Sequence, residues 1–363
     1  MLQKIMAFFM AVAAFFGSIG ESIGIPQPLF MDISSIESVG TNIDYVLKED
    51  DSATIRTKSD DDFKVLMFTD IHLDGKNKTS SVTVEKIIAN VQREKPDFVI
   101  FGGDTITSGL NRKRAKQLCE IFEQLGVYWA AVLGNHEGSA LAISRKKNVK
   151  IFSSYDHCLM RQGLDGVWGN GNYCVNILNA DGSLKKTFYF LDSGSDASKA
   201  DMEKYGTATD GRSEYDGVKD SQVKWYSDKV KENEAKYGAS KSVLVMHIPI
   251  YQMREAAESG EYLYGGKLES VCASCFDSGL FDAIKTLGST DWVFFGHDHV
   301  NNFALELDGV TLSYIEASGY GSYTTASKFG YEEKDWLQGY TKLMIKADGT
   351  FTHEQIRNST VEQ

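Results

Sequence analysis

Between residues 63 and 357 the apolar positions follow two rhythms. Unbroken apolar runs at 65–68, 98–101 and 128–133 have the length and β-branched or aromatic content of buried strands. Residues 82–92 and 114–125 instead space their apolar side chains three and four apart, which predicts amphipathic helices. Strand, helix, strand, helix, strand in that order predicts parallel βαβ units with right-handed crossovers. After Glu137 the rhythm loosens. Strands are expected at 173–178, 187–191, 243–246 and 292–295, helices at 221–236 and 281–287, and a loop rich in aromatics and glycine at 251–275. Four further runs, 303–307, 310–315, 340–345 and 351–356, read as antiparallel strands with turns at Asp308-Gly309 and Asp348-Gly349.

The remaining segments lack this pattern. Residues 21–62 have few long apolar runs and end in Lys58-Ser-Asp-Asp-Asp62, which reads as a leader, and 358–363 read as a tail. Residues 1–20 carry Lys4, an apolar run from Ile5 to Phe16, and then Gly17, Ser18 and Gly20. That run is short for a membrane span and has the shape of a secretory h-region. It predicts a signal peptide and an extracytoplasmic location, with an uncleaved anchor, and hence membrane contact, as the alternative.

The chemistry gathers where apolar runs end. Phe101-Gly-Gly-Asp104-Thr105 places a carboxylate just past a buried strand, and four other segments end the same way: Asp70 and His72, Asn135 and His136, His247, and His297 and His299. Ligands in α/β sheets collect outside the carboxyl ends of strands, so the placement is topologically consistent. Alternate residues of an extended segment share a face, so Asp70-x-His72 can serve one metal; His297-x-His299 can serve one metal or be divided between two. A carboxylate such as Asp104 can bridge two cations, and mixed nitrogen and oxygen ligands suit Mn, Fe, Zn or Ni better than Ca. Taken alone, each motif is as well explained by a capped turn or a core histidine. Five ligand-bearing strand ends in one chain are not. His157 and His353 lack such company and read as surface or structural residues.

Composition narrows the partners. The 363 residues suffice for one large α/β domain, and a net charge of −12 argues against nucleic acid, whose non-specific binding needs basic surface. A small phosphorylated substrate remains compatible, since bound cations reverse the local potential. The five cysteines are odd in number and fix no disulfide framework. Cys272-Ala-Ser-Cys275 reads as a local disulfide or two free thiols rather than a zinc knuckle. Asn77-Lys-Thr79 and Asn358-Ser-Thr360 match glycosylation acceptors.

Across roughly residues 64–356 these motifs resemble the calcineurin-like metallophosphoesterase superfamily, whose pattern DxH, GD, GNH with Asp or Glu, a later His, and GHxH is met at every position. The resemblance implies a four-layer α/β/β/α sandwich of two mixed sheets between helices, with residues 63–357 as the catalytic domain. It implies one metal on Asp70, His72, Asp104 and His299, and a second on Asp104, Asn135, His247 and His297. The segments 189–194, 222–225 and 296–301 further resemble a small purple-acid-phosphatase-like branch. True purple acid phosphatases carry a tyrosine three residues past the bridging aspartate and a DxG first motif; Thr107 and His72 stand there instead, so no ferric-tyrosinate centre is expected.

The expected cofactor is therefore a pair of divalent or mixed-valence transition-metal ions. Two cations roughly 3.5–4 Å apart can lower the pKa of a bridging water for in-line attack on a phosphodiester or phosphomonoester. His136 is the candidate proton donor to the leaving oxygen, with Glu137 to orient it. Tyr251, Tyr262, Tyr264, Tyr320 and Tyr323 are candidates for an aromatic substrate rim. No arginine cluster near the motifs is evident, which favours a diester. The alternatives are a non-catalytic scaffold on the same fold and, more remotely, a glycosidase recruiting Asp192 or Asp298.

Overall fold

Large apolar side chains on both faces of the central strands require that those strands be covered twice, and the layering follows from this. The computed structural model describes residues 31–74, 78–107, 111–138, 143–207, 214–321, 323 and 337–361. In chain order the main elements are β1 (Ile43–Lys48), β2 (Ser52–Thr57), β3 (Phe63–Phe68), α1 (Lys78–Glu94), β4 (Phe98–Phe101), α2 (Asn111–Leu125), β5 (Tyr128–Ala131) and α3 (Arg145–Phe152). Then come β6 (Tyr173–Leu178), β7 (Leu184–Phe190), α4 (Lys199–Tyr205), α5 (Asp220–Tyr237), β8 (Ser242–Val245), α6 (Met253–Ala256), α7 (Leu280–Leu287) and β9 (Thr290–Phe295). The chain closes with β10 (Ala304–Leu307), β11 (Val310–Tyr314), β12 (Gly339–Ile345), β13 (Phe351–Arg357) and a last turn, α8 (Asn358–Val361).

The strands form a five-stranded sheet, β13-β12-β3-β4-β5, and an eight-stranded sheet, β1-β2-β6-β7-β8-β9-β11-β10. β3, β4 and β5 run parallel, as do β7, β8, β9 and β11. Period-two alternation along the larger sheet separates two cores. Tyr173, Val175, Phe188, Phe190, Val243, Val245 and Phe294 belong to the core shared with the smaller sheet and with α1 and α2. Their neighbours Cys174, Tyr189, Leu244, Val293 and Phe295 join Trp225, Tyr226 and Val230 of α5 and Phe281 and Ile284 of α7. Phe98 of β4 meets Phe188 of β7 edge to face at 6.3 Å, and the Tyr173 hydroxyl accepts from Ala131 N and donates to Ala131 O, tying sheet to sheet. The result is the expected four-layer α/β/β/α sandwich.

Some expectations change. Residues 43–57, inside the stretch read as a leader, form the β1–β2 hairpin, and β2 pairs in parallel with β6. The strand was hidden because Ser52, Thr54 and Thr57 are buried there as compact side chains although their chemistry reads as polar. The two C-terminal hairpins divide between the sheets, β10–β11 beside β9 and β12–β13 beside β3. Asp308 and Gly309, with φ of 49° and 80°, make the expected two-residue turn, whereas five residues separate the β12–β13 pair Ile345 and Phe351. All five cysteines are free thiols, Cys272 and Cys275 included.

Asn358 is no open glycosylation acceptor: its side chain is buried between the Tyr320 hydroxyl and the Asn90 amide. Asn77 and the N-terminal apolar segment lie outside the described residues. Among the described residues no helix is long and apolar enough to cross a membrane.

The hairpin is pinned by Asp51 in its turn, whose carboxylate accepts from Trp225 Nε1 at 2.8 Å and from the Lys229 ammonium of α5. Asp51→Ala strands a buried indole N–H, and we expect it to lower the unfolding free energy by about 1–3 kcal/mol with an unchanged denaturant slope. A urea midpoint equal to that of the unsubstituted protein would show that the hairpin is only loosely attached.

Candidate metal centre

Each ligand-bearing loop leaves the carboxyl end of a strand, and the loops from the two sheets meet. Asp70 and His72 follow β3, Asp104 follows β4, Asn135 and His136 follow β5, His247 follows β8, and His297 and His299 follow β9. The loops after β3 and β4 stay paired, with His72 N donating to Asp104 O at 2.9 Å, and Gly296 N donates to His247 O at 3.1 Å. The turns needed to aim the side chains inward put Asp70, His72, Asp104 and His297 at φ of 54°, 46°, 48° and 77°. Left-handed backbone at four non-glycine positions is strain of the kind that persists at functional sites.

Each carboxylate divides its oxygens. Asp70 Oδ2 accepts from Thr69 Oγ1 at 2.8 Å and from His297 N at 2.9 Å, and Asp104 Oδ1 accepts from His136 N at 2.8 Å. The other oxygens face the centre. Asp70 Oδ1 lies 3.3 Å from His299 Nε2, and Asp104 Oδ2 lies 3.3 Å from His247 Nε2, 3.7 Å from His72 Nε2 and 3.9 Å from His136 Nε2. His247 Nδ1 donates to Gly102 O at 2.8 Å, fixing the tautomer that leaves Nε2 as a lone-pair donor, 3.2 Å from Asn135 Oδ1.

Two overlapping groups result, Asp70, His72, Asp104 and His299, and Asp104, His247 and His297, each with ligand atoms within 4.8 Å of one another. Asn135 borders the second. Asp70 Oδ1 and His297 Nε2 are buried without a hydrogen-bond partner, and His72 Nε2 faces His299 Nε2 at 3.0 Å. Bare lone pairs converging at one buried point fit a cation better than any hydrogen-bond pattern, and the nitrogen and oxygen set fits a transition metal.

The charges agree. Burial disfavours the ionised Asp70, yet the His247 and His299 imidazoles hold it well below the usual carboxylate range. Burial likewise disfavours a charged His247, but Asp104 and Asp70 push it up to about 9. The carboxylates thus demand positive charge here, which a bound cation would supply in place of the proton. Burial, with the His247 charge, pushes His297 down to about 3, leaving it a neutral ligand.

An open cavity of about 470 Å³ reaches this pit, lined by His72, Asn135, His136, His297 and His299 among others. His136 is half exposed at its mouth. Glu137 does not serve as the expected orienter of its ring: Glu137 Oε1 and Oε2 accept from the backbone N–H groups of Asp104, Thr105, Ile106 and Gly134, at 2.5–3.1 Å. It locks two metal-binding loops together.

The tyrosine rim is also redrawn. Tyr251 is on the surface away from this cavity, Tyr264 bonds to Ser313 and His353, and the Tyr320 hydroxyl accepts from Asn358. Tyr262 packs on Phe303. Tyr323 does line the cavity, stacked on His299 at 4.4 Å, and opposite it Tyr215, unflagged by any local pattern, sets its edge against His297 at 4.3 Å. Asp192 is engaged by Arg145, which also donates to Gly134 O at 2.5 Å, and Asp298 is buried against Tyr314 and Cys272 N; neither faces the cavity as a glycosidase acid.

The sequence model of the calcineurin-like phosphoesterase matches residues 63–301. The chain belongs to this family. Within it, the chain is 28% identical over 306 residues to "Probable inactive purple acid phosphatase 14" of Arabidopsis thaliana, covering 74% of this chain and 73% of that protein. It is 28% identical over 329 residues to "Probable inactive purple acid phosphatase 28" of the same plant, covering 80% of each. Among solved structures, a dimetal phosphatase from Danio rerio superposes with a TM-score of 0.53 at 16% identity, over 82% of this chain and 96% of that one, a likeness of fold. A calcineurin-like phosphoesterase fold with clustered candidate metal ligands is thus in hand.

Glu137→Ala leaves four backbone donors without their acceptor, and we expect a loss of about 2–4 kcal/mol, with Glu137→Gln intermediate. Urea denaturation of metal-free protein checks this, and a loss below about 0.5 kcal/mol would mean that the loops are held by other contacts.

Proposed function

We propose that the chain hydrolyses phosphoesters at a two-metal centre. The reading is carried by one observation: two ligand groups share Asp104 at the floor of a cavity open to solvent. Asp70, His72, Asp104 and His299 would hold one ion, and Asp104, Asn135, His247 and His297 the other. When bound, the ions supply Lewis acidity toward phosphoryl oxygens and a water of lowered pKa.

The chain's own groups do the rest. His136, half exposed and 3.9 Å from Asp104 Oδ2, is placed to donate its Nε2 proton to a leaving oxygen. Its backbone N–H meanwhile fixes Asp104 Oδ1, so one residue both orients the shared carboxylate and offers the acid. Tyr215 and Tyr323 narrow the approach over His297 and His299. Among the described residues lining the cavity there is no lysine or arginine. A singly charged diester therefore suits it better than a dianionic monoester. The net charge of −12 and the N-terminal apolar run add a small extracytoplasmic substrate, without nucleic acid, to this reading.

A second reading, a metal-holding scaffold without turnover, draws on the word "inactive" in the names of the plant relatives. Against it stand the intact ligands. We expect the purified protein to turn over bis(p-nitrophenyl) phosphate faster than p-nitrophenyl phosphate, to stop on chelation, and to recover with Mn, Fe, Zn or Ni. His136→Ala should lower kcat by about 10²- to 10³-fold while metal content by mass spectrometry stays at the unsubstituted level. Fully metallated protein that cleaves neither ester would favour the scaffold.

A further inference from the structure

A second cavity, of about 420 Å³, opens at the amino ends of β7, β8 and β9, the end of the larger sheet opposite the metal ligands. Lys186, Lys241 and Asp291 line it, with Tyr237, Trp292 and Phe351 as walls. Lys186 is 1% exposed; its ammonium donates to Gly349 O at 3.0 Å, lies 5.0 Å from the centre of the Phe351 ring, and forms no ion pair with a described residue. Asp291 Oδ1 is buried with no hydrogen-bond donor. An ammonium has three protons to give, and a buried cation and a buried acceptor left apart each carry a desolvation penalty that pairing would relieve. Lys241, exposed at the rim, gives one of its three protons to Gly288 O at 2.7 Å; of the remaining charged groups of the lining, Lys185 is engaged by Asp61 O at 2.7 Å and the Asp348 carboxylate by Thr350 N and Oγ1.

We propose that this cavity binds a protonated oxyanion, a hydrogen phosphate group, with ionised oxygens against Lys186 and Lys241 and an O–H donated to the Asp291 carboxylate. The carboxylate makes the site selective. Sulfate, fully ionised, has no proton for Asp291 and would set oxygen against oxygen. Free phosphate and the phosphoryl head of a monoester share the required chemistry. The site is independent of turnover at the metal centre.

Crystals of the metallated full chain, soaked near pH 6 (about the second pKa of a phosphoryl group) in arsenate or in selenate, locate the two anion types by anomalous scattering. We expect arsenate, and not selenate, between Lys186 and Asp291. Asp291→Asn, whose amide can donate as well as accept, should admit both, and Lys186→Met, similar in volume, should admit neither. In calorimetry, inorganic phosphate and methylphosphonate distinguish a free-phosphate site from one open to a phosphoryl head, and Asp291→Asn should weaken the remote site about tenfold or more. No arsenate peak beside Lys186, equal peaks for the two anions, or a peak that survives Lys186→Met (an adventitious ion only) overturns the proposal.

Discussion

Two buried carboxylates, Asp70 and Asp104, lie at one point beneath a cavity whose described lining holds no lysine or arginine, and the surrounding structure answers that charge. Isolated ionised groups are not tolerated in a low-dielectric interior. Here the imidazole lone pairs point at the same space as the carboxylates, so the counter-charge must come from cations bound there or from protons on imidazoles such as His247. The left-handed backbone at Asp70, His72, Asp104 and His297 is the conformational counterpart of that electrostatic tension.

Rigid supports make the strain sustainable. Gly103, at φ of 102°, lets His247 pack where a Cβ would come within 2.4 Å of its ring, and Gly134 lets the Asn135 loop approach Asp104 where a Cβ would lie 2.2 Å from its carboxylate. Glu137 ties the Asp104 loop to the Asn135 loop, and Arg145 ties the Asn135 loop to Asp192 at the end of β7. The smaller sheet thereby supplies Asp70, His72, Asp104 and Asn135, the larger sheet supplies His247, His297 and His299, and the interlayer core fixes their separation.

Much of this was legible from the chain because each ligand follows an apolar run, and a strand's end is a local property. The parallel β3, β4 and β5 and the ligands after them needed only hydrophobic period and position. What escaped was set by tertiary contact. β1 and β2 are built from residues such as Tyr45, Leu47 and Thr54, an edge strand and a threonine-rich neighbour, whose pattern only makes sense beside β6. Glu137 looks like a catalytic partner of its neighbour His136 until its four backbone donors are seen. Tyr215 reaches the cavity from a loop that carries no periodicity; of the tyrosines expected at the rim, Tyr323 does line it, while Tyr264 and Tyr320 turn into the packing. The purple-acid-phosphatase likeness of the curated relatives coexists with Thr107 in the cavity wall, where a metal-binding tyrosine would otherwise be expected.

The sharing of Asp104 between two cations is the central proposal for this molecule. Anomalous diffraction at the Mn, Fe, Ni and Zn absorption edges, on crystals of protein purified without added metal, tests this directly. Two peaks flanking the Asp104 carboxylate, one enclosed by Asp70, His72 and His299 and the other by Asn135, His247 and His297, are the predicted result. A single peak, or ions bound elsewhere with Asp104 uncoordinated, would contradict it.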